Sequence, residues 1–107
     1  MLPNLLNSPV VVKPWSLVGQ LAAVRFCVTA DASSCLLPRL LQPFAKRDLT
    51  PDSFECRRTG ANIRVDITLA SMPAEMVHLV TGNLQQMIGV QRVTCQTEVT
   101  GSVRRAA

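Results

Sequence analysis

Apolar positions in this chain alternate, shift to a helical spacing, and alternate again, and the chain does this twice. Val24, Phe26 and Val28 alternate with Arg25, Cys27 and Thr29, the period of two that marks a strand with one buried face. From about Cys35 to Arg47 the period lengthens. Leu37, Leu40, Leu41 and Phe44 fall at i, i+3, i+4 and i+7, the stripe of a helix lying on a sheet. Between the two, Asp31-Ala32-Ser33-Ser34-Cys35 is a polar loop. Ser33 or Ser34 can accept from the unpaired N–H groups of the first helical turn, and Asp31 places a favourable negative charge near them. Pro38 lies close enough to the helix start to be accommodated. Pro43 removes an internal hydrogen bond and predicts a kinked or loosened last turn.

The second half repeats the scheme in mirror order. Asp48 to Asp52 reads as a turn from its Pro and Asp content. Ser53 to Thr59 reads as a strand with Phe54 and Cys56 inward and Glu55 and Arg57 outward, followed by a tight hairpin at Gly60-Ala61-Asn62. Ile63, Val65, Ile67 and Leu69 then alternate with Arg64, Asp66 and Thr68, the cleanest strand in the chain. Ser71 to Glu75 predicts a helix start, with Ser71 or Met72 near the cap and Pro73 in the first turn. Val77, Val80, Leu84 and Met87 form the second helical stripe. Gly82 interrupts it at a cost of about 1 kcal/mol against Ala, and its small size suggests close approach to a neighbour. Gly89 is expected to end the helix as a left-handed cap. Val90 to Val99 reads as the last strand, with Val93, Cys95, Thr97 and Val99 on one face. The order β-α-β-β-α-β predicts an α+β, ferredoxin-like sandwich. Right-handed crossovers make this one antiparallel sheet in the order 4-1-3-2, with both helices on one face.

Length is consistent with that picture: 107 residues make one domain, able to bury roughly two-thirds of its unfolded surface. The expected division is an N-terminal extension over 1–20, the domain over 21–99 and a flexible tail over 100–107. In the extension, Val10-Val11-Val12 lies between Pro9 and Pro14, which stop a strand from growing there, and Trp15 is available to cover an edge of the core. No run of about 18 apolar residues is present, which argues against a membrane helix. The first twenty residues lack a basic leader and contain Pro3, Pro9 and Pro14, which argues against a secretory signal. A cytoplasmic location is the expectation.

Charge and cysteine content narrow the chemistry. The net charge of +4 is dispersed: Arg57-Arg58 and Arg104-Arg105 are isolated pairs, and Lys46-Arg47 suits a helix C-terminus. With three Phe, one Trp and no Tyr, the chain lacks the basic stripe with interleaved aromatics that nucleic-acid binding requires. Cys27, Cys35, Cys56 and Cys95 form no CxxC pair and match no zinc or iron–sulfur spacing. Those in strands are expected as small buried hydrophobes. The one histidine, His78, falls beside the second helical stripe with no acidic or thiol partner at a useful spacing. No paired carboxylates, nucleophile elbow or Gly-rich phosphate loop occur, so no catalytic residue is assigned. RNA-binding modules of this topology stack bases on aromatics of the open sheet face. That face here carries Arg25, Cys27, Thr29, Arg64, Asp66 and Thr68. Metal-chaperone domains of this shape carry two cysteines in the first loop, where this chain has Cys35 alone. A regulatory or interaction domain remains.

Several segments in order carry a resemblance to a known family. Leu37-Pro38-Arg39-Leu40-Leu41 with Phe44-Ala45-Lys46-Arg47 is similar to an "L-x-R-hydrophobic … F-x-x-R" helix, and Ser53-Phe54 follows at the matching distance. Ile63 to Ser71 resembles the third strand, and Asn83 to Val93 the closing "L-x-K-L-x-x-V-x-x-V" segment. The family is the ACT domain, and more closely the short, isozyme II-like small subunits of acetolactate synthase. The resemblance implies a regulatory subunit of branched-chain amino-acid synthesis without catalytic residues. Its implied partners are the large catalytic subunit, which would hold thiamine diphosphate, Mg and FAD, and further copies of itself as a homodimer or higher oligomer. It also implies a ligand-binding loop over Asp31, Ala32, Ser33, Ser34, Cys35 and Leu36, and a polar partner interface drawing on Arg25, Arg39, Arg64, Asp66 and Arg92. Amino-acid-sensing members resemble one another in an Asn-x-x-Gly loop, and the corresponding positions here are Ala32 and Cys35. A side chain at the Gly position obstructs close backbone approach, and Ala32 offers no side-chain hydrogen bond, so the feedback site is expected to be degenerate. The alternative reading is a free-standing ACT domain that senses a small ligand at a homo-oligomer interface.

Overall fold

The two strands with the cleanest alternation become the centre of the sheet. The computed structural model describes residues 18–102. It contains β1 (Gln20–Asp31), α1 (Leu36–Ala45), β2 (Ser53–Thr59), β3 (Asn62–Pro73), α2 (Val77–Gln85) and β4 (Val90–Ser102), with a short 3-10 turn over Ala74–Met76 before α2. The four strands form one antiparallel sheet in the order β2-β3-β1-β4, the expected order read from the other edge. β1 pairs with β3 in a register that sets Phe26 beside Ile67 and Val28 beside Val65. It pairs with β4 in a register that sets Phe26 beside Cys95 and Val28 beside Val93. Regular structure reaches Gln20 at one end and Ser102 at the other. Residues 1–17 of the expected extension, with its Val10–Val12 run and Trp15, and the last five positions of the tail lie outside the described residues.

The core lies between the sheet and the helices. Ala22, Val24, Phe26, Val28 and Ala30 from β1, and Ile63, Val65, Ile67 and Leu69 from β3, are buried against Leu36, Leu40 and Phe44 of α1 and Val80 and Leu84 of α2. Phe26 and Phe44 meet edge to face, with ring centroids 5.4 Å apart and planes inclined by 74°. That geometry places the positive edge of one ring on the negative face of the other.

The helices differ from expectation in their details. α1 buries Leu36, Leu40, Pro43 and Phe44, leaving Leu37 half-buried and Leu41 at 37% exposure. The helix is therefore rotated from the stripe read in sequence. Leucines at 36, 37, 40 and 41 support two overlapping stripes, and packing selects the one that includes Leu36. Neither serine caps the helix through its side chain. The Ser33 carbonyl accepts from the Leu36 N–H at 3.1 Å instead. Pro43 sits buried inside α1, which stops two residues later at Ala45 rather than reaching Arg47. The chain leaves α1 through Asp48, whose φ of 59° is left-handed. The Asp48 N–H donates to the Ala45 carbonyl and the Leu49 N–H to the Phe44 carbonyl, the paired bonds of a Schellman termination.

β3 continues to Pro73, so Ser71 and Met72 are strand residues and not a helix cap. Met72 is buried in the core, and α2 starts only at Val77. Glu75 accepts from the Gly19 N–H at 3.3 Å. Gly82 has nothing within 4 Å of where a Cβ would stand, so no neighbour packs closely there. Gly89 is left-handed, with φ of 100°, but it lies in the turn into β4, four residues beyond the helix end. On β2 only Ser53 and Phe54 are partly covered, and Cys56 is exposed, against the inward position expected for it. β2 is the edge of the sheet and its outer half runs beyond the cover of the helices.

Candidate functional site

The loop after β1 is built from local chemistry that ties it to two other turns. The Asp31 N–H donates to the Gly89 carbonyl at 2.8 Å, and the Ala32 N–H to the Ala61 carbonyl at 2.9 Å. The loop is thus clamped between the β2–β3 hairpin turn and the turn that enters β4. A side-chain clamp reinforces it: Gln91 Nε2 donates to Asp31 Oδ1 at 2.7 Å and to Asn62 Oδ1 at 2.9 Å. Gly89 lies against the start of α1, where a Cβ would stand 3.3 Å from Leu36 Cδ2 and 3.8 Å from Asp31 Oδ2.

The six residues expected to line a ligand divide into different environments. Leu36 is buried in the core, and Ala32 is half-buried against it. Ser33, Ser34 and Cys35 are exposed, with the Ser33 hydroxyl 3.6 Å from Cys35 Sγ. Asp31 is exposed at the strand end with its carboxylate engaged by Gln91. The backbone N–H groups of Asp31 and Ala32 are occupied by carbonyls of the same fold.

The proposed interface residues fall mainly on the sheet face away from the helices. Because Cys27 pairs with Asp66, and Thr29 with both Arg64 and Arg92, the face is ordered in cross-strand rows. Asp66 lies near its middle, 3.6 Å from Arg25 Nη2 and 3.9 Å from Arg64 Nε. These separations are ion pairs beyond hydrogen-bond length, which agrees with Asp66 Oδ1 having no hydrogen-bond partner. Arg92 is exposed on β4 in the same face, whereas Arg39 is exposed on α1, on the other side of the molecule. Four of the five residues are therefore brought to one surface.

One feature of this face went unread in the sequence. Where β3 takes three steps from Leu69 to Met72 against two from Val24 to Ala22 of β1, a hollow of about 550 Å³ opens over Ala23 and Ala70, walled by Arg25, Gln96, Glu98 and Asp52. Asp52 is held there by its Oδ2, which accepts from the Ala70 N–H at 2.6 Å. Two alanines at polar-face positions of adjacent strands are the signal that could have located it. Below the sheet, Cys95 is half-buried, its Sγ 3.3 Å from Thr97 Oγ1. Burial pushes its thiol above the ordinary value of 9.0, while hydrogen bonds from Thr97 and Thr81 pull it back in part. Such a thiol is a poor nucleophile.

Among the described residues no group of three or more His, Cys, Asp or Glu could hold a metal ion, and no helix is long and apolar enough to cross a membrane. His78 is exposed on α2. No curated protein matches the chain. A family model described as an ACT-like domain matches residues 19–101, from the turn before β1 almost to the end of β4. With this βαββαβ fold and a match over most of its length, the chain belongs to the ACT-like domain family.

Proposed function

We propose that this chain is a non-catalytic regulatory subunit that docks on the large, thiamine-diphosphate-dependent subunit of acetolactate synthase and raises its turnover. Membership in the ACT-like family supports a small-ligand regulatory role. The helix and closing-strand motifs from Leu37 to Arg47 and from Asn83 to Val93 support the narrower assignment by resemblance. The observation that carries the reading is the closure of the loop after β1, whose Asp31 and Ala32 N–H groups are bonded to Gly89 and Ala61. A scaffold kept with its amino-acid cradle closed suits a subunit that acts by docking rather than by feedback. Activation is then a population shift, in which the subunit binds the active conformation of the catalytic chain more tightly than the inactive one. The charged face around Arg25, Arg64, Asp66 and Arg92 supplies a docking surface, with Arg39 as a separate contact. Thiamine diphosphate, Mg and FAD remain with the catalytic chain, and the regulatory chain self-associates. Mixing it with a cognate large subunit should give co-purification and higher turnover; failure of both sinks the reading.

The hollow over Ala23 and Ala70 favours a second reading, a free-standing sensor of a small ligand, because Arg25 and Glu98 place opposite charges on its rim. A specific ligand at 100 times Kd stabilises the fold by about 2.7 kcal/mol. A thermal melt unmoved by any amino acid removes this alternative.

A further inference from the structure

The hollow over Ala23 and Ala70 lies near the start of β1, at the far end of that strand from the Asp31–Cys35 loop. Its floor is apolar, because two alanines stand side by side on adjacent strands. Its walls are charged, and the charges are not equally available. Arg25 lies 3.6 Å from Asp66 Oδ1, a buried oxygen with no hydrogen-bond partner. Drawing Arg25 onto a ligand would leave that carboxylate to Arg64 alone, at 3.9 Å. Asp52 and Glu98 have no ion-pair partner among the described residues, whose pairs are those of Asp66 with Arg25 and Arg64. The chain has 11 Lys and Arg against 7 Asp and Glu, so two unpaired carboxylates around one hollow do not follow from composition.

The two carboxylates flank the alanine floor from opposite sides. Asp52 is held on the β2 side of β3: its Oδ2 accepts from the Ala70 N–H at 2.6 Å, and its N–H donates to the Thr68 carbonyl at 2.7 Å. Glu98 stands on β4, opposite Ala23 of β1. Because β3, β1 and β4 are adjacent, two strand spacings of about 4.8 Å separate β3 from β4. With Asp52 beyond β3, its carboxylate lies about 12 Å from the β4 backbone. Two charge-assisted hydrogen bonds of about 2.8 Å then leave roughly 6 Å between two ligand nitrogens, the length of a four-carbon stem. Such a stem would rest on the alanines.

We propose that the hollow binds a short aliphatic diamine, one ammonium on Asp52, the other on Glu98, and the hydrocarbon over Ala23 and Ala70. This goes beyond the amino-acid sensing considered above. A zwitterion needs Arg25 for its carboxylate and forfeits the pair with Asp66, whereas a diamine uses only the charges that are unpaired.

The test is calorimetric titration and thermal melting of the full chain with putrescine, and with butylamine as its one-ended counterpart. Putrescine should bind and raise the melting midpoint, with butylamine about 10-fold weaker for want of one charged hydrogen bond. D52N and E98Q should each weaken putrescine by about 10-fold. Glu98 is exposed and outside the core, so E98Q reads binding even where D52N loosens the bond to Ala70. A70L, also at an exposed position, should fill the hollow and abolish binding. Putrescine binding that is unchanged in D52N and E98Q overturns the site, and equal affinity for putrescine and butylamine overturns the two-ended contact. Amino acids that shift the melt where putrescine does not overturn the diamine and leave amino-acid sensing standing. A melt unmoved by amines and amino acids alike overturns both.

Discussion

Gln91, in the second position of β4, holds Asp31 at the last position of β1: its Nε2 lies 2.7 Å from Asp31 Oδ1, though the two residues are 60 positions apart in the chain. The same amide reaches Asn62 Oδ1 at the start of β3, so one side chain links the ends of three strands. Replacing Gln91 by Ala should cost about 0.5–1.5 kcal/mol, since a hydrogen bond in an exposed site contributes modestly. Faster hydrogen exchange should be confined to the Asp31 and Ala32 amides. Denaturant unfolding with residue-resolved exchange checks both, and unchanged exchange at those two amides would show that the backbone bonds alone hold the loop.

Gly89 completes the same clamp from the other side. Its φ of 100° is left-handed, and a Cβ there would press on Leu36 at 3.3 Å. Gly60, with φ of 61°, has open space around it. Gly60→Ala should therefore cost about 1 kcal/mol from backbone strain alone. Gly89→Ala should cost more, about 2 kcal/mol, because strain and crowding act together. Equal midpoint shifts for the two variants would argue that Leu36 yields without cost.

The rotation of α1 sets up a contrast between two apolar residues three positions apart. Phe44 is buried against Phe26, whereas Leu41 is partly exposed. Phe44→Ala should cost about 3–5 kcal/mol through lost contact and the cavity left behind. Leu41→Ala should cost under about 1 kcal/mol, as befits a surface position. Comparable losses in denaturant midpoint would mean that the helix presents the stripe containing Leu37 and Leu41 instead.

Cys95 links stability to pH in a predictable direction. Its thiol is raised in the folded state mainly by burial, so the folded chain holds this proton more tightly than the unfolded chain. The contribution is fully present below the ordinary value of 9.0 and is lost as pH rises through and beyond it. Stability should fall above about pH 9, and Cys95→Val should flatten that fall relative to the parent. A thiol reagent at pH 8 should modify the exposed Cys35 and Cys56 first, with Cys95 slow until the chain unfolds. Rapid labelling of Cys95 in the folded chain would contradict its burial beneath α2.

The alternation of Val24, Phe26 and Val28 and of Ile63, Val65, Ile67 and Leu69 was enough to place β1 and β3. The order of elements then led to the sheet topology through the handedness of the crossovers. Those signals are legible because a strand with one buried face writes a period of two into its own residues, with no reference to the rest of the chain. The site was less legible. The polar composition of Asp31 to Cys35 marked a loop, and Ala32 and Cys35 marked its departure from an amino-acid cradle. That Gly89, Ala61 and Gln91 close the loop depends on residues 29 to 60 positions away, which only the register of β1 against β3 and β4 brings together.

Tertiary structure also decided between possibilities the sequence held in common. Four leucines allowed two faces for α1, and packing selected the one that buries Leu36 together with Leu40 and Phe44. Cys56 alternates as an inward residue should, yet it is exposed, because period reports which way a side chain points and not whether a second layer lies there to cover it. Arg25, Arg64 and Asp66 were visible as polar-face residues, but their gathering around one carboxylate, beside a hollow over Ala23 and Ala70, follows from strand register and the extra residue in β3 opposite Ala23. Local pattern determines each element and its inward face. Packing determines which of several apolar faces is used and which distant polar groups become neighbours, since both depend on the area buried by the assembled layers.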